Sequence, residues 1–438
     1  MKKPLLAIAS LGVSASLLLA GCAGGSTPTD GADSATEITY LTHWGGAQIG
    51  ELEAAAAAFS ADNPDVTVKI QSVPFDQLLS TLATQGSSAD GPTITNIYTA
   101  WLPQLVTDGI VAPAPADVAA DVTGNYGAGF AEAASVDGEV YGVPNEVALY
   151  QLNYNTALFE AAGVSEAPAD WDALTEAATA LKGSGVKNPV GFTTAWGNGV
   201  VHPFLSFVAS NGGSFLNADG TESALTSPEV IEVAEYYEEL ATSGLTDVTL
   251  STADANTTGP YLDAFSQGQT GMIVMANWWK STLESAMGDS FTDIESAPIP
   301  VGPSGTESSS ISYTWANVVN GQADAAKQEA AWAFLTYLNG PDSGVAGSSA
   351  MGDILVGMGI LPSRASDLTA HASEIETPFL ASYVAAQATA TPFPTVNGIA
   401  EATTALQVEL EALLNGQKDA ATAMADADAA VNAALGGN

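Results

Sequence analysis

Short β-rich runs alternate with amphipathic helical stretches from the start of the folded part of this chain, and that alternation restricts it to few architectures. Residues 38–42 read as a strand, 49–61 have helical spacing and alanine-rich propensity, and 66–71 alternate as a strand again. A helix follows at 75–84, then a β-rich run at 93–98 and a helix at 102–108 closed by Gly109. A βαβαβ order of this kind predicts a mostly parallel sheet with helices on both faces, an α/β fold. Asp137 and Gly138 between β-rich flanks signal a hairpin turn within 136–144. The grammar then repeats, with helices at 155–162 and 171–182, a strand at 190–193, helices at 228–242 and 261–266, and a strand at 271–276. Beyond Asp324 the pattern is mainly helical, with Trp332, Leu335 and Leu338 on one face and alanine-rich helices near 398–415 and 417–435. The body of about 400 residues exceeds what one hydrophobic core usually serves, so two domains are expected.

Ahead of this body, Lys2 and Lys3 precede an apolar run at 5–20 that is shorter than a bilayer-spanning helix of about 20 residues and ends in Leu19, Ala20, Gly21 and Cys22. LAGC resembles the lipobox of bacterial lipoproteins, which implies a signal peptide over 1–21 and acylation of Cys22. Residues 22–36 are small, polar and turn-forming, and read as a tether with a reach on the order of 20 Å. Cys22 is the single cysteine, so intrachain disulfides are excluded and packing alone holds the fold.

The formal net charge of −40 excludes nucleic acid as a partner. It arises from scarcity of bases, since only 13% of residues are charged. Arg364 is the sole arginine and two of the eight lysines fall in the signal, so a phosphate or carboxylate ligand would lack its usual basic forks. A neutral ligand is favoured. G-x-S-x-G, H-E-x-x-H, P-loop and G-x-G-x-x-G patterns are all missing. His43, His202 and His371 lack metal-ligand spacing and read as surface or loop residues. No cofactor, metal site or catalytic residue is expected.

Several phrases, in order, resemble a known family: ITYLTHWGG at 38–46, GPTITNIYTAWLPQLVTDGIVAPA at 91–114, VYGVPNEVALYQLNYNTALFEAAGV at 140–164 and GQTGMIVMANWW at 268–279, with ADWDALTEAATALK, AAWAFLTYLNG and GILPSRA between and after them. They are similar to the extracellular solute-binding proteins of bacterial ABC importers, in the carbohydrate-binding group that includes maltose-binding protein. The resemblance implies a periplasmic-binding-protein-like fold of two lobes, each a mostly parallel sheet flanked by helices. It places crossings near 146–150, 313–316 and 371–379, with lobe one at 37–147 plus 317–372 and lobe two at 148–315 plus 373–438. It further implies a monomer that binds a carbohydrate in the cleft, delivers it to the transmembrane subunits of an ABC permease, and meets the extracellular face of the membrane only through its lipid.

Tryptophans at strand ends mark the expected cleft: Trp44, Trp101, Trp278 and Trp279, with Trp315 at a crossing. Aromatic faces pack against the C–H face of a pyranose, whose hydroxyls need polar partners. By the resemblance Trp278 is the sugar-stacking residue and Glu146 a ligand-facing carboxylate. Gln48, Asn96, Tyr98, Asn277 and Tyr313 flank the aromatics as hydroxyl partners, and Trp196 and His202 lie in a Gly-rich loop phrase that would face the cleft from lobe two. Trp171 and Trp332, set in amphipathic helices, read as core. Two alternatives stay open from the residues alone: a secreted lipid-anchored glycosidase using two of the 49 acids, and a binding protein for another neutral or cationic solute such as a polyamine.

Overall fold

The computed structural model describes residues 35–194, 197–250 and 259–436. Its strands, in chain order, are β1 (Thr36–Thr42), β2 (Val66–Ser72), β3 (Ile94–Tyr98), β4 (Ser135–Val136), β5 (Glu139–Val140) and β6 (Gly142–Asn155). They continue as β7 (Asn188–Gly191), β8 (Thr270–Ala276), β9 (Ile294–Ala297), β10 (Ile311–Val319), β11 (Leu361–Pro362) and β12 (Thr391–Pro392). The main sheet runs β2-β1-β3-β10-β6-β8-β7. Its flanks are parallel, β2-β1-β3 on one side and β8-β7 on the other, while β10 and β6 run antiparallel to their neighbours through the middle. Helices cover both faces, as the alternating sequence requires.

The central strand carries the architecture. β6 pairs with β10 over its first half, through Leu149, and with β8 and β9 from Tyr150 onward, so one continuous strand belongs to both ends of the sheet. Each face then bears two apolar packings. On the front face Ile38, Tyr40, Ile94 and Val319 meet Phe334 and Leu335 of the helix Ala325–Leu338, whereas Tyr150, Leu152, Met272 and Val274 meet Phe204 and Phe207 of the helix Gly197–Ser210. On the back, Ile97, Leu102, Leu105 and Val318 form one packing, and Val147, Leu149, Met275, Phe379 and Tyr383 another. The front and back boundaries between packings both run along β6 and β10.

Local signals behave as their chemistry dictates. Asp137 (φ 52°) and Gly138 (φ 81°) make the two-residue turn between β4 and β5, both in the left-handed region a tight hairpin needs. Asp170 caps the helix Trp171–Ser184 by accepting from the Ala173 N–H at 2.8 Å. Trp171 stacks on Tyr236 at 4.5 Å and Trp332 is 6% exposed, both in core packings.

Four expectations change. The Gly-rich phrase around 197–203 is helix Gly197–Ser210 with Pro203 inside it, because burying Val200, Val201, Phe204, Leu205, Phe207 and Val208 outweighs the weak helix propensity of its glycines. Residues 371–379 form the short helix Ala372–Ile375 and a turn rather than a crossing strand. Thr36, assigned to the tether, opens β1, its N–H donating to the Asp65 carbonyl at 2.7 Å. Of the histidines, His43 and His371 lie in a bend and a turn, but His371 is 4% exposed, and His202 is fully buried within the helix Gly197–Ser210. Cys22 and the rest of the signal lie outside the described residues.

Candidate functional site

Strand alternation brings the site together. Tyr98 opposes Trp315 and Asn96 opposes Asn317 across β3 and β10, and Tyr40 of β1 is in register with Ile94, so these side chains share the front face. β6 would present Asn145 and Glu146 out of step with them but for a bulge: Thr314 pairs with Val147 and Ala316 with Pro144, leaving two β6 residues opposite Trp315 alone. A bulge re-aims side chains. Here it restores the Glu146 side of β6 to the front, where its carboxyl acts electrostatically on the Tyr40 and Tyr313 phenols.

The resulting strip lies between the two front-face packings and is polar. Tyr40 donates its hydroxyl to Asn317 Oδ1 at 2.5 Å, and Asn96 Nδ2 donates to the same oxygen at 3.2 Å. Around them Glu146 Oε1, Asn96 Oδ1, Asn317 Nδ2 and Asn145 Nδ2 are shut off from solvent without hydrogen-bond partners among the described residues, as are Trp44 Nε1 and His43 Nδ1. Burial pushes the Glu146 carboxyl up to about 8, so it is largely neutral at pH 7 and holds a proton it can donate. Each unpaired buried donor or acceptor costs on the order of 1–3 kcal/mol unless water or a ligand satisfies it, so this much unmet capacity makes the strip the candidate site for a polar ligand.

Aromatic rings enclose the strip. His43 stacks on Trp315 at 4.2 Å, and Phe75 and Trp101 pack on the same indole at 6.0 and 6.1 Å. The half-buried Trp278 donates its indole N–H to Tyr313 Oη at 2.9 Å, which leaves a ring lying among the front packings of both ends of the sheet. His202, from the helix Gly197–Ser210, bridges Tyr98 Oη (3.3 Å to Nε2) and Tyr150 Oη (3.2 Å to Nδ1). Burial holds His202 neutral, lowering it to about 3, so one ring nitrogen accepts from a tyrosine and the other donates.

Of the expected residues, Trp44, Asn96, Tyr98, Trp101, Glu146, Trp278, Tyr313 and Trp315 converge on this region. Gln48 lies half-buried in the first turn of the helix Gly46–Asp62. Two belong elsewhere. Asn277 is fully buried with its amide engaged by β6, donating to the Val147 carbonyl at 3.1 Å and accepting from the Leu149 N–H at 2.9 Å, which commits it to the strand backbone. Trp279 packs into the back-face core with Leu149 and Met275, turned away from Trp278 by the 3-10 turn Asn277–Trp279. Trp196 lies outside the described residues. Tyr40, Asn145, Tyr150 and Asn317 were missed by sequence reasoning. Tyr40 was legible from strand period within 38–42, whereas Asn145 and Asn317 depend on a bulge and on a pairing with no local sequence signal.

Among the described residues no lysine or arginine joins the strip. Arg364 is held by Asp121 through two parallel hydrogen bonds of 2.7 and 2.9 Å and lies over the Tyr126 ring. Lys69, Lys280 and Lys418 pair with Glu37, Glu284 and Glu409, and Lys182, Lys187 and Lys327 with Ser243, Gln269 and Ala89. Among the described Asp and Glu residues only Glu146 and Asp367 are buried, and Asp367 is engaged by Ser349.

Comparison with known proteins adds the following. The family model described as bacterial extracellular solute-binding protein matches residues 46–345. A Brucella abortus protein named as a binding protein is 30% identical over 283 residues, 64% of this chain and 66% of its own, so the match spans just under two thirds of that relative. The arabinooligosaccharide-binding protein of Halalkalibacterium halodurans is 25% identical over 314 residues, 70% of this chain and 68% of its own. Among solved structures, the cyclic alpha-maltosyl-1,6-maltose binding protein from Arthrobacter globiformis superposes with a TM-score of 0.74 at 24% identity, covering 92% of this chain and all of its own. The fold is thus the two-lobed α/β fold of such binding proteins.

Proposed function

The chain belongs to the bacterial extracellular solute-binding protein family, and from that premise we propose that it captures a neutral sugar or oligosaccharide between its lobes and delivers it to an ABC permease without altering it. The observation that carries the reading is the front strip, in which buried donors and acceptors stand unpaired inside an aromatic enclosure. A sugar hydroxyl both donates and accepts, so one ring can satisfy several of these atoms while its C–H face packs on Trp278 or Trp315. The engagement of every described basic side chain elsewhere supports a neutral ligand over an anionic one. A single buried carboxyl in the strip supports binding over glycoside hydrolysis, which needs two flanking the bond. The names of the relatives favour sugars over polyamines.

We take the lobes as 37–147 plus 317–372 and 148–315 plus 373–438, in keeping with the two-lobed fold of the structural neighbours. The mature receptor starts at an acylated Cys22, acts as a monomer on the outer face of the membrane, and draws its transport energy from the partner's ATPases. Replacing Cys22 by Ala is expected to release a folded, ligand-competent protein into the medium, and retention in the membrane fraction would exclude the anchor.

A thermal-shift screen against maltose, maltotriose, arabino-oligosaccharides and spermidine tests the ligand class. A sugar at 100 times its Kd adds about 2.7 kcal/mol to folded stability, a readily measured rise in Tm. Stabilisation by spermidine and by no sugar would overturn the reading.

A further inference from the structure

β3 and β12 lie end to end along the edge of β10 that faces away from β6. Tyr98, the last residue of β3, is level with Trp315, and Phe393, the first after β12, donates its N–H to the Ser312 carbonyl at 2.8 Å. Their rings meet across the gap between the two strands, with centroids 6.0 Å apart. His202 covers that gap, because the helix Gly197–Ser210 is held over the start of β10 by Ser206 Oγ, which accepts from the Ile311 N–H at 3.1 Å. The His202 ring lies 4.7 Å from Phe393 and 4.9 Å from Tyr313, and each of its nitrogens is taken by a tyrosine hydroxyl, Tyr98 on one side and Tyr150 on the other. Tyr98 and Phe393 are 4% and 5% exposed, as side chains that close on one another must be. In the lobe division above, Tyr98 stands on lobe one and His202 and Phe393 on lobe two, so this contact spans the cleft. On the other side of β10, beyond β6, Trp278 is only half-buried.

We propose that Tyr98, His202 and Phe393 form a stop that seals the β3 side of the cleft, so that the site takes one end of a sugar chain and the remainder of that sugar leaves past Trp278. This assignment of ligand class rests on the sugar-receptor reading. The stop acts sterically. A sugar running through the cleft has to part Tyr98 from His202 and Phe393, which breaks a buried hydrogen bond and separates packed rings, whereas a chain end abutting the three side chains leaves them together. Specificity for a terminus then comes from what the closed lobes exclude as well as from what the strip binds.

The probes are maltotriose and arabinotriose, each uncapped, benzylated at the reducing end, or benzylated at the opposite end, titrated calorimetrically. For whichever trisaccharide binds uncapped, one cap is expected to weaken binding by about a hundredfold or more, because it must enter the stop, and the other by less than about threefold. Tyr98→Ala and Phe393→Ala trim the stop from opposite lobes. Each should bring the penalised cap to within about tenfold of the uncapped sugar bound by the same variant, a ratio that also shows the variant is folded. Equal acceptance of both caps, equal rejection of both, or a penalty that persists in both variants would overturn the stop and leave the receptor reading standing. Binding of neither trisaccharide would overturn the assignment of a chain end, and binding of spermidine in their place would remove the receptor reading as well.

Discussion

Glu146 illustrates how a single buried side chain can set a pH response. Its carboxyl titrates near 8 in the fold because burial disfavours the anion, against the ordinary 4.5 of the unfolded chain. The folded state therefore binds the extra proton between those values, and stability falls as pH rises from about 4.5 through 8. His371, raised by its bonds to Glu374 and Asp353 in spite of burial, loses its contribution in the same direction. His43 and His202 act oppositely: burial lowers each to about 3, so the unfolded chain binds more protons below 6.5 and stability is lost on acidification. Thermal denaturation of the ligand-free protein should thus be most resistant near pH 6, and Glu146→Gln should flatten the alkaline limb by raising Tm at pH 8 more than at pH 5. An alkaline limb unchanged by that substitution would show that Glu146 ionises normally.

Tryptophans at the same residue scale divide by environment. Trp278 keeps a half-buried ring in the enclosure and Trp332 sits in the front core beside Phe334 and Leu335. Trp278→Ala is expected to weaken sugar binding by on the order of 1–3 kcal/mol in calorimetric titration with little change in Tm. Trp332→Ala should lower stability by about 3–5 kcal/mol in urea unfolding and leave affinity nearly unchanged. The converse pattern would move the stacking role away from Trp278.

At the scale of elements, β6 depends on a side chain acting as a strand. Where β10 gives way to β8 beside it, Asn277 supplies both a donor and an acceptor to the backbone of Val147 and Leu149. Asn277→Leu should leave those groups unpaired in the core and cost about 2–4 kcal/mol in urea unfolding. A loss below 0.5 kcal/mol would show that the strand junction satisfies itself. The sequence speaks for such elements unevenly. Elements with a strong local period, among them β1, β2 and the helix Pro228–Thr242, were legible because one more buried face repeats within a few residues, while β8, buried throughout, showed only as a short apolar run. β10 and the full length of β6 were not, since strands buried on both faces lose their alternation, and the helix Gly197–Ser210 hid behind two glycines and a proline. The aromatic half of the site was legible from tryptophans at strand ends. Its polar half was not, because Asn145 and Asn317 meet only through pairing between strands distant in sequence.

For the molecule as a whole, the position of the site on the crossing strands decides what binding must do. The atoms proposed to face the sugar come from β1, β3, β6 and β10 at one end and from the segment after β8 and the helix Gly197–Ser210 at the other, so only an arrangement with both ends together offers the full set. A ligand with this differential affinity shifts the population towards closure. Tyr98 and His202 already touch across the strip, which gives closure a protein contact to form as well as a ligand to hold. Small-angle scattering should therefore record a smaller radius of gyration when a sugar identified by thermal shift is added, with a parallel change in tryptophan fluorescence from Trp101, Trp278 and Trp315. The sugar recovered afterwards should be intact. A fixed radius with hydrolysed sugar would replace the receptor by a glycosidase, because a rigid two-carboxylate site has no need to close and consumes what it binds. Compaction with intact sugar is what a delivery protein requires, since the closed form is the one state a permease can use to tell a loaded receptor from an empty one.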